Sequence, residues 1–333
     1  MGFVERLQSL AALTRRHHRA AVVVQVVAVA VLLVALAFAV HGAWANAGDR
    51  LRNADYVDFA LALVALAAYY LLFVVGWTRI LRAWGISLSY PAALRAEMVS
   101  MLAKYIPGGV WTPAARIVAV RRSGITDGGL VFASMMVEAG LSAVSGVIVF
   151  AVSLVWVHGV DAPLWPLLIF GAVLAVLLHP RVFHPFSRRL LRRFGTDVPE
   201  LPDGLVIGLL LYYAFTWVVG GVALWLLLRS VGASPVLSTI VFLGGVSAVG
   251  AIVAVLSILA PSGLGPREAS MYGLLLAIAP QGAALGATVL NRVAITVVEI
   301  ALLLVGGLVF RLRDEDLDVT HEPALTESLP DSH

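Results

Sequence analysis

The sequence predicts an all-α polytopic membrane protein with about eight transmembrane helices and two re-entrant segments in which Pro and Gly interrupt a helix. Three observations predict this fold class. Of the 333 residues, 60% are hydrophobic and 13% charged, whereas a soluble domain has about 45–50% apolar and about 25% charged residues. Long uncharged apolar runs recur along the chain, and each is long enough to cross the roughly 30 Å hydrocarbon core of a bilayer. Pro and Gly cluster between these runs at two places.

The apolar runs give eight predicted spans. They extend over Ala20 to Ala43, Tyr56 to Trp77, Leu130 to Val157, Leu164 to Leu178, Leu205 to Leu228, Val236 to Ala260, Ala269 to Ala284 and Ala287 to Phe310. The first span follows three Arg residues like a secretory signal, but its 24 residues are too many for one, so we interpret it as an uncleaved helix. The chain then divides into a cytoplasmic N-terminal segment (1–19), a transmembrane domain (20–310) and a disordered acidic tail (311–333).

Positive charges predict the orientation. If both termini are inside, the cytoplasmic segments hold 19 of the 23 Lys and Arg residues, and the outer segments hold three. Cytoplasmic loops of membrane proteins carry such an excess of Lys and Arg. We therefore expect a multi-pass protein of a bacterial inner (plasma) membrane with its N- and C-termini in the cytoplasm.

The first interruption lies between the second and third spans, at Pro91 to Arg122. Basic residues place both of its ends on the cytoplasmic side, so the segment forms either a re-entrant hairpin or a surface helix. Pro107 ends a helix there, and Thr112 before Pro113 predicts an N-cap and the start of a new helix.

The second interruption, from Ala260 to Glu268, links the sixth and seventh spans on the same side. It repeats the order of the first one, because a helix-ending Pro261 is followed by Gly, a second Pro and an Arg. Interrupted helices at matching places in two halves indicate a binding site in transporters. Outside these motifs, no internal repeat is evident.

The residues of the first motif suit an anionic ligand. Gly108 and Gly109 allow close approach of the backbone, a helix N-terminus favours negative charge, and Arg116 offers a planar fork for phosphate. The alternative is that the Pro-Gly pair only ends a helix and that Arg116 lies among lipid headgroups.

The second motif places Arg267 and Glu268 between apolar runs. An unpaired charge there costs at least ~2.5–3.5 kcal/mol, which indicates a function for the two charges. The alternative is a salt-bridged turn at the membrane edge.

Three further charged residues lie inside predicted spans: Glu138, Arg292 and Glu299. Such charges face the protein interior and mark substrate or proton paths. Arg292 and Glu299 share one face of the last helix. Because Glu138 and Arg292 differ in depth by nearly ~20 Å, we expect Glu138 to pair with Arg116 or Arg267. A proton-coupling role and a structural charge pair both remain open for Glu138.

Several function classes are excluded or unsupported. The only Lys is followed by Tyr, so a G-x-x-x-x-G-K-[ST] loop of an ATP-driven pump is absent, and the chain has no Cys. The sequence shows no metal-ligand spacing and no hydrolase motif, and we expect no catalytic residues, metal or cofactor. The basic run at 188–193 is explained by topology and inner-leaflet lipid, so no nucleic-acid partner is expected.

Two motifs, with Glu138 in the span between them, resemble the lysylphosphatidylglycerol synthase transmembrane region family, a flippase-like domain. They are Lys104-Tyr-Ile-Pro-Gly-Gly-Val-Trp111 and Pro261-Ser-Gly-Leu-Gly-Pro-Arg-Glu268. The resemblance covers about residues 15 to 312. It implies a flippase-like membrane domain without the soluble aminoacyl transferase domain of the family's multiple peptide resistance factors, and hence no lysyl transferase activity. Ser262 and Ala139 depart from the family pattern, in which Gly and Arg are frequent at these places.

Together, the motifs and the resemblance predict a lipid transporter rather than an enzyme. The cargo would be an anionic phospholipid, an aminoacylated lipid or a polyprenyl-phosphate glycolipid. The alternative is an accessory or lipid-modifying membrane subunit that works with a glycosyltransferase. Homo-oligomerisation is left open. The candidate substrate-binding residues are Tyr105, Pro107, Gly108, Gly109, Trp111, Thr112, Arg116, Glu138, Pro261, Gly263, Gly265, Arg267, Glu268, Arg292 and Glu299.

Overall fold

The computed structural model describes residues 48–103, 111–121, 123–157, 160, 165–178, 198–257, 260 and 263–318, and this part of the chain is helical, with no strand. The helices are α1 (Tyr56–Ala83), α2 (Tyr90–Ala103), α3 (Trp111–Arg121), α4 (Gly128–Ser153), α5 (Trp165–Leu178), α6 (Asp203–Ser230), α7 (Ile240–Leu256), α8 (Pro266–Leu275) and α9 (Gln281–Asp318). A short helix at 48–52 precedes α1, and a 3-10 turn at Leu237–Thr239 leads into α7.

Five helices of the described part are long and apolar enough to cross a membrane. They are Tyr56–Ala83, Gly128–Ser153, Asp203–Ser230, Leu237–Leu256 and Gln281–Val305. These helices correspond to the second, third, fifth, sixth and eighth predicted spans. The predicted class, a helical multi-pass membrane protein, is therefore confirmed, whereas the count of eight spans is not confirmed. The first span lies outside the described residues, and the fourth corresponds to α5, a helix of 14 residues.

The seventh predicted span is wrong, because Ala269 to Ala284 is not one helix. The segment forms α8, which has ten residues, and then a turn in which Ala277 N–H donates to the Leu274 carbonyl at 3.2 Å. Pro280 follows and α9 begins at Gln281. Ten residues rise about 15 Å, half of a roughly 30 Å hydrocarbon core, so α8 is too short to span. Composition could not distinguish these cases because the turn is as apolar as the helices.

The last helix is longer than predicted. It continues through the membrane-length segment to Asp318, so residues 311–318 of the tail predicted to be disordered are helical. The rest of that tail, like the predicted N-terminal segment 1–19, lies outside the described residues.

Capping side chains explain where several helices begin. Asp55 accepts from the N–H of Val57 at 2.8 Å ahead of α1, and Asp127 accepts from Leu130 N–H at 2.9 Å ahead of α4. Such caps satisfy N–H groups that have no partner within the helix. At α3 the described helix already includes Trp111, so Thr112 lies within it and is not its N-cap as predicted. Pro113 is tolerated there because the first N–H groups of a helix make no intrahelical bond.

The long helices form the core of the bundle. Helices α1 and α6 are antiparallel, since Asp55 N–H donates to the Ser230 carbonyl at 2.8 Å at one end and the Tyr212 hydroxyl donates to the Leu72 carbonyl at 2.7 Å further along. Helices α6 and α7 approach so closely that a Cβ on Gly244 would lie 2.6 Å from the Trp217 carbonyl oxygen. Small residues allow this backbone contact between membrane helices.

The short helices pack onto this core near the two interruptions. Helices α2 and α3 pack against each other, α2 also contacts α1 and α9, and α3 contacts α4. In the second half, α8 packs against α7 and α9. Each interruption is therefore flanked by a short helix that lies against the following long helix.

Candidate functional site

A cluster of charged side chains lies inside the bundle where α2, α3 and α4 meet. Arg116 of α3 donates through Nη1 to Oε2 of Glu138 on α4 at 2.7 Å, and its Nη2 forms an ion pair with Oε2 of Glu97 on α2. Arg116 is 5% exposed and Glu138 3% exposed. Buried charges are stable only when they are paired and hydrogen-bonded. We name Glu97, Arg116 and Glu138 the central cluster.

Helix α1 completes the surroundings of Arg116. The guanidinium carbon lies 4.7 Å from the ring centroid of Trp77, a distance at which a cation is attracted to the ring face. The indole Nε1 of Trp77 donates to Ser134 Oγ at 2.9 Å, which fixes the ring. Four helices therefore hold one guanidinium, and an anionic ligand would have to displace a carboxylate to reach it.

The prediction that Glu138 pairs with Arg116 or Arg267 is confirmed for Arg116. Sequence reasoning missed Glu97 and Trp77 as partners. The available signal was the polar content of the segment from Pro91 to Arg122, in which Glu97 lies. That signal does not reveal which charges meet across helices.

A second group of charges lies where α8 begins. Gly263 and Gly265 have φ values of 68° and 92°, a conformation that glycine adopts readily. The N–H of Gly265 donates to Oε2 of Glu268 at 2.7 Å, which closes the first turn of α8. Glu268 Oε1 also lies 3.6 Å from Nη1 of Arg292 on α9. We name Arg267, Glu268 and Arg292 the half-helix cluster.

Arg267 differs from the other charges near the interruptions. It is partly exposed, and among the residues that the structure describes no carboxylate lies within 4 Å of its guanidinium. Its side chain passes Gly250 of α7, where an added Cβ would lie 3.4 Å from Arg267 Cγ.

The contact with Gly250 corrects the predicted position of the second motif. Gly250 lies inside α7, six residues before the helix ends at Leu256, so Arg267 is level with the interior of the bundle rather than with the end of α7. The physical reason is the short length of α8. This helix leads to the start of α9, where Gly286 would bring a Cβ within 3.2 Å of Val231 at the far end of α6.

Glu299 is buried on α9 and faces α1. The Tyr70 hydroxyl donates to its Oε1 at 2.7 Å, and Glu299 is 3% exposed. The expectation that Glu299 faces inward is confirmed, whereas its partner Tyr70 was not predicted. Tyr70 and Glu299 are 229 residues apart, so no local sequence pattern indicates their hydrogen bond.

Of the remaining predicted site residues, the structure describes only some. Trp111 is 37% exposed at the start of α3, and Thr112 follows it. Tyr105, Pro107, Gly108, Gly109 and Pro261 lie outside the described residues. Within the described ranges, no group of three or more His, Asp or Glu residues is arranged to hold a metal ion.

The sequence matches the model of one protein family. The family model described as "Lysylphosphatidylglycerol synthase TM region" matches residues 25–303, which is most of the chain. No curated protein matches. The matched range includes both interruptions and both clusters.

Proposed function

The chain belongs to the lysylphosphatidylglycerol synthase TM region family, and from this premise we propose that it moves a lipid with an anionic, phosphate-bearing headgroup between membrane leaflets. The observation that carries the proposal is Arg267, a guanidinium without a carboxylate partner among the described residues, in the interior of an apolar bundle. Anionic phospholipids, aminoacylated lipids and polyprenyl-phosphate glycolipids share this headgroup chemistry.

The cost of placing Arg267 there supports a ligand. A charge at the centre of a membrane costs at least ~2.5–3.5 kcal/mol and marks substrate paths. Arg267 lies in the first turn of α8, next to N–H groups of the helix N-terminus, which also attract anions. A phosphate bound by this guanidinium would satisfy its donors, because the planar fork matches phosphate oxygens.

The arrangement of short helices supports a transport cycle. The headgroup would reach Arg267 beside α8 while the acyl chains remain in lipid. Discontinuous helices that point at a substrate near the bilayer midplane are typical of transporters in which one half moves against the other. In our proposal, α8 presents the headgroup, and motion of the α2–α3 pair opens the path to the cytoplasmic side.

The orientation of the protein is part of the proposal. The end of α1 carries Arg79 and Arg82 and that of α3 carries Arg121, which by the positive-inside rule puts these ends in the cytoplasm of a bacterial inner membrane. At the other end of the bundle, Arg229 Nε lies 3.2 Å from Asp58 Oδ2.

The test uses the full chain reconstituted in vesicles of phosphatidylglycerol and phosphatidylethanolamine. Fluorescently labelled phosphatidylglycerol is added as probe, and an impermeant quencher reports which leaflet holds it. We expect the wild type to move the probe, and Arg267→Gln to lower the rate about tenfold or more, the effect of one lost charged hydrogen bond. The matched control, Arg229→Gln at the end of the bundle where α1 begins, should keep the wild-type rate.

Equal rates for Arg267→Gln and the wild type would overturn the assignment of the site. No movement in wild-type vesicles, together with co-purification of a glycosyltransferase, would overturn transport in favour of an accessory subunit. Mass spectrometry of lipid that co-purifies with the protein would identify the headgroup.

A further inference from the structure

The central cluster contains two carboxylates and one guanidinium. Glu97 and Glu138 both reach Arg116 through one oxygen, Oε2. Their side chains are 13% and 5% exposed, and that of Arg116 is 6% exposed. If both carboxylates are ionised, the three side chains carry one uncompensated negative charge inside the protein. Such a charge is costly in a medium of low dielectric constant.

Among the residues that the structure describes, the surrounding helices add no further ion pair to either carboxylate. On α1 the neighbour is Trp77. On α6 the nearest polar side chain is Tyr213, whose hydroxyl lies against Gly76, the residue before Trp77. The other charged residues of α2 and α3 are Arg95, which has contacts of its own, and Arg121. Helices α5 and α7, which also pack against α4, contain no charged residue.

A buried oxygen of Glu138 indicates what compensates the charge. Glu138 Oε1 has no hydrogen-bond partner among the described residues. An ionised carboxylate oxygen that is buried without a donor is costly. A proton on Glu138 Oε1 would remove this cost together with the excess charge of the cluster.

We propose that Glu97 and Glu138 share a single exchangeable proton around Arg116, and that this proton is the coupling ion of the protein. When α3 moves away from α4, Arg116 keeps one carboxylate as its partner. The other carboxyl meets water and releases its proton to it. When α3 returns to α4, this carboxylate takes up a proton again, and the net charge of the central cluster is then zero. The coupling role rests on the proposed function, whereas the proton site itself does not.

The proton site is tested by infrared spectroscopy of the full-length protein in phosphatidylglycerol and phosphatidylethanolamine vesicles. We expect a protonated-carboxyl band at neutral pH that shifts in deuterated buffer. Either Glu97→Gln or Glu138→Gln alone should remove a component of this band, because the remaining carboxylate is then neutralised by Arg116. Gln keeps an acceptor for the guanidinium, and thermal unfolding checks that each variant is folded. The control Asp58→Asn, at the other end of α1, should leave the band unchanged.

Absence of the band in the wild type would overturn the proposal without any variant. Persistence of the whole band in either Gln variant would also overturn it, because the proton would then not be shared.

Coupling is tested separately with the labelled phosphatidylglycerol probe. A gradient of one pH unit should shift the distribution of the probe between leaflets by up to about tenfold per proton, and Glu138→Gln should remove this dependence. A wild-type distribution that does not respond to the gradient would overturn coupling. Vesicles that show the band but no probe movement at all would overturn the proposed function and leave the proton site standing.

Discussion

The two Arg residues that follow the two interruptions are held in different ways. Arg116 is buried, contacts two carboxylates and lies on the ring of Trp77. Arg267 is partly exposed and has no carboxylate within 4 Å among the described residues. A guanidinium whose donors are used by the protein positions helices, whereas one with free donors can bind a ligand. The same order of Pro, Gly and Arg thus gives an Arg held by two carboxylates in one half and a candidate ligand-binding Arg in the other.

The largest expected effect on stability follows the loss of Arg116. The substitution Arg116→Ala leaves two buried carboxylates without their shared partner, which should cost about 3–5 kcal/mol. Unfolding of the purified protein in detergent measures this loss. The double variant with Glu138→Gln should recover part of the stability. If Arg116→Ala is as stable as the wild type, the contacts of Arg116 with the two carboxylates do not stabilise the protein, and Arg116 does not differ from Arg267 in this respect.

A smaller effect is expected at the bond between α1 and α9. Tyr70→Phe removes the donor to buried Glu299 and should cost about 1.5–3 kcal/mol, the usual value for a hydrogen bond to a charged group. The same unfolding assay applies, and Tyr56→Phe, at the exposed first residue of α1, serves as control. An unchanged midpoint would show that Glu299 is held by groups other than Tyr70.

The ion pair at the far end of the bundle provides a reference for exposed charges. The side chain of Arg229 is 45% exposed where it meets Asp58, whose own side chain is 10% exposed, so solvent screens one partner of the pair. Asp58→Asn should therefore cost only about 0.2–1 kcal/mol, with a loss that falls at high salt. Unfolding at two salt concentrations measures it. A loss as large as that of Arg116→Ala would contradict the distinction between buried and exposed pairs.

No loss of stability is expected at Arg267. Arg267→Gln keeps most of the side-chain stem against Gly250 and breaks no ion pair of the described residues, and it removes a charge that is costly inside the bundle, so the variant should be at least as stable as the wild type. Unfolding and probe movement are measured on the same preparation. A large loss of stability would show that Arg267 holds helices together as Arg116 does. The two Arg residues would then not differ in role.

Much of the fold was predictable because the thickness of the bilayer sets the number of consecutive apolar residues that a transmembrane helix needs. The spans that became α1, α4, α6, α7 and α9 follow from this relation. The pairing of Arg116 with Glu138 followed from the cost of an unpaired charge at that depth.

The missed features depend on packing between helices. Glu97, Trp77 and Tyr70 meet their partners across helices that are far apart in the sequence, so no local spacing reveals them. The predicted depth of Arg267 was wrong because Ala269 to Ala284 is uncharged and mostly apolar, and hydropathy alone does not separate a long helix from a short helix and a turn. The position of Pro280 was the signal that could have divided this segment.

The glycine contact between α6 and α7 limits which parts of the bundle can move. Where Gly244 meets the carbonyl of Trp217, no side chain lies between the two backbones that could change rotamer and absorb a rotation. The two helices are therefore expected to travel as one rigid block. We therefore expect a large rearrangement to move the short helices relative to this block, because their packing does not depend on this backbone contact.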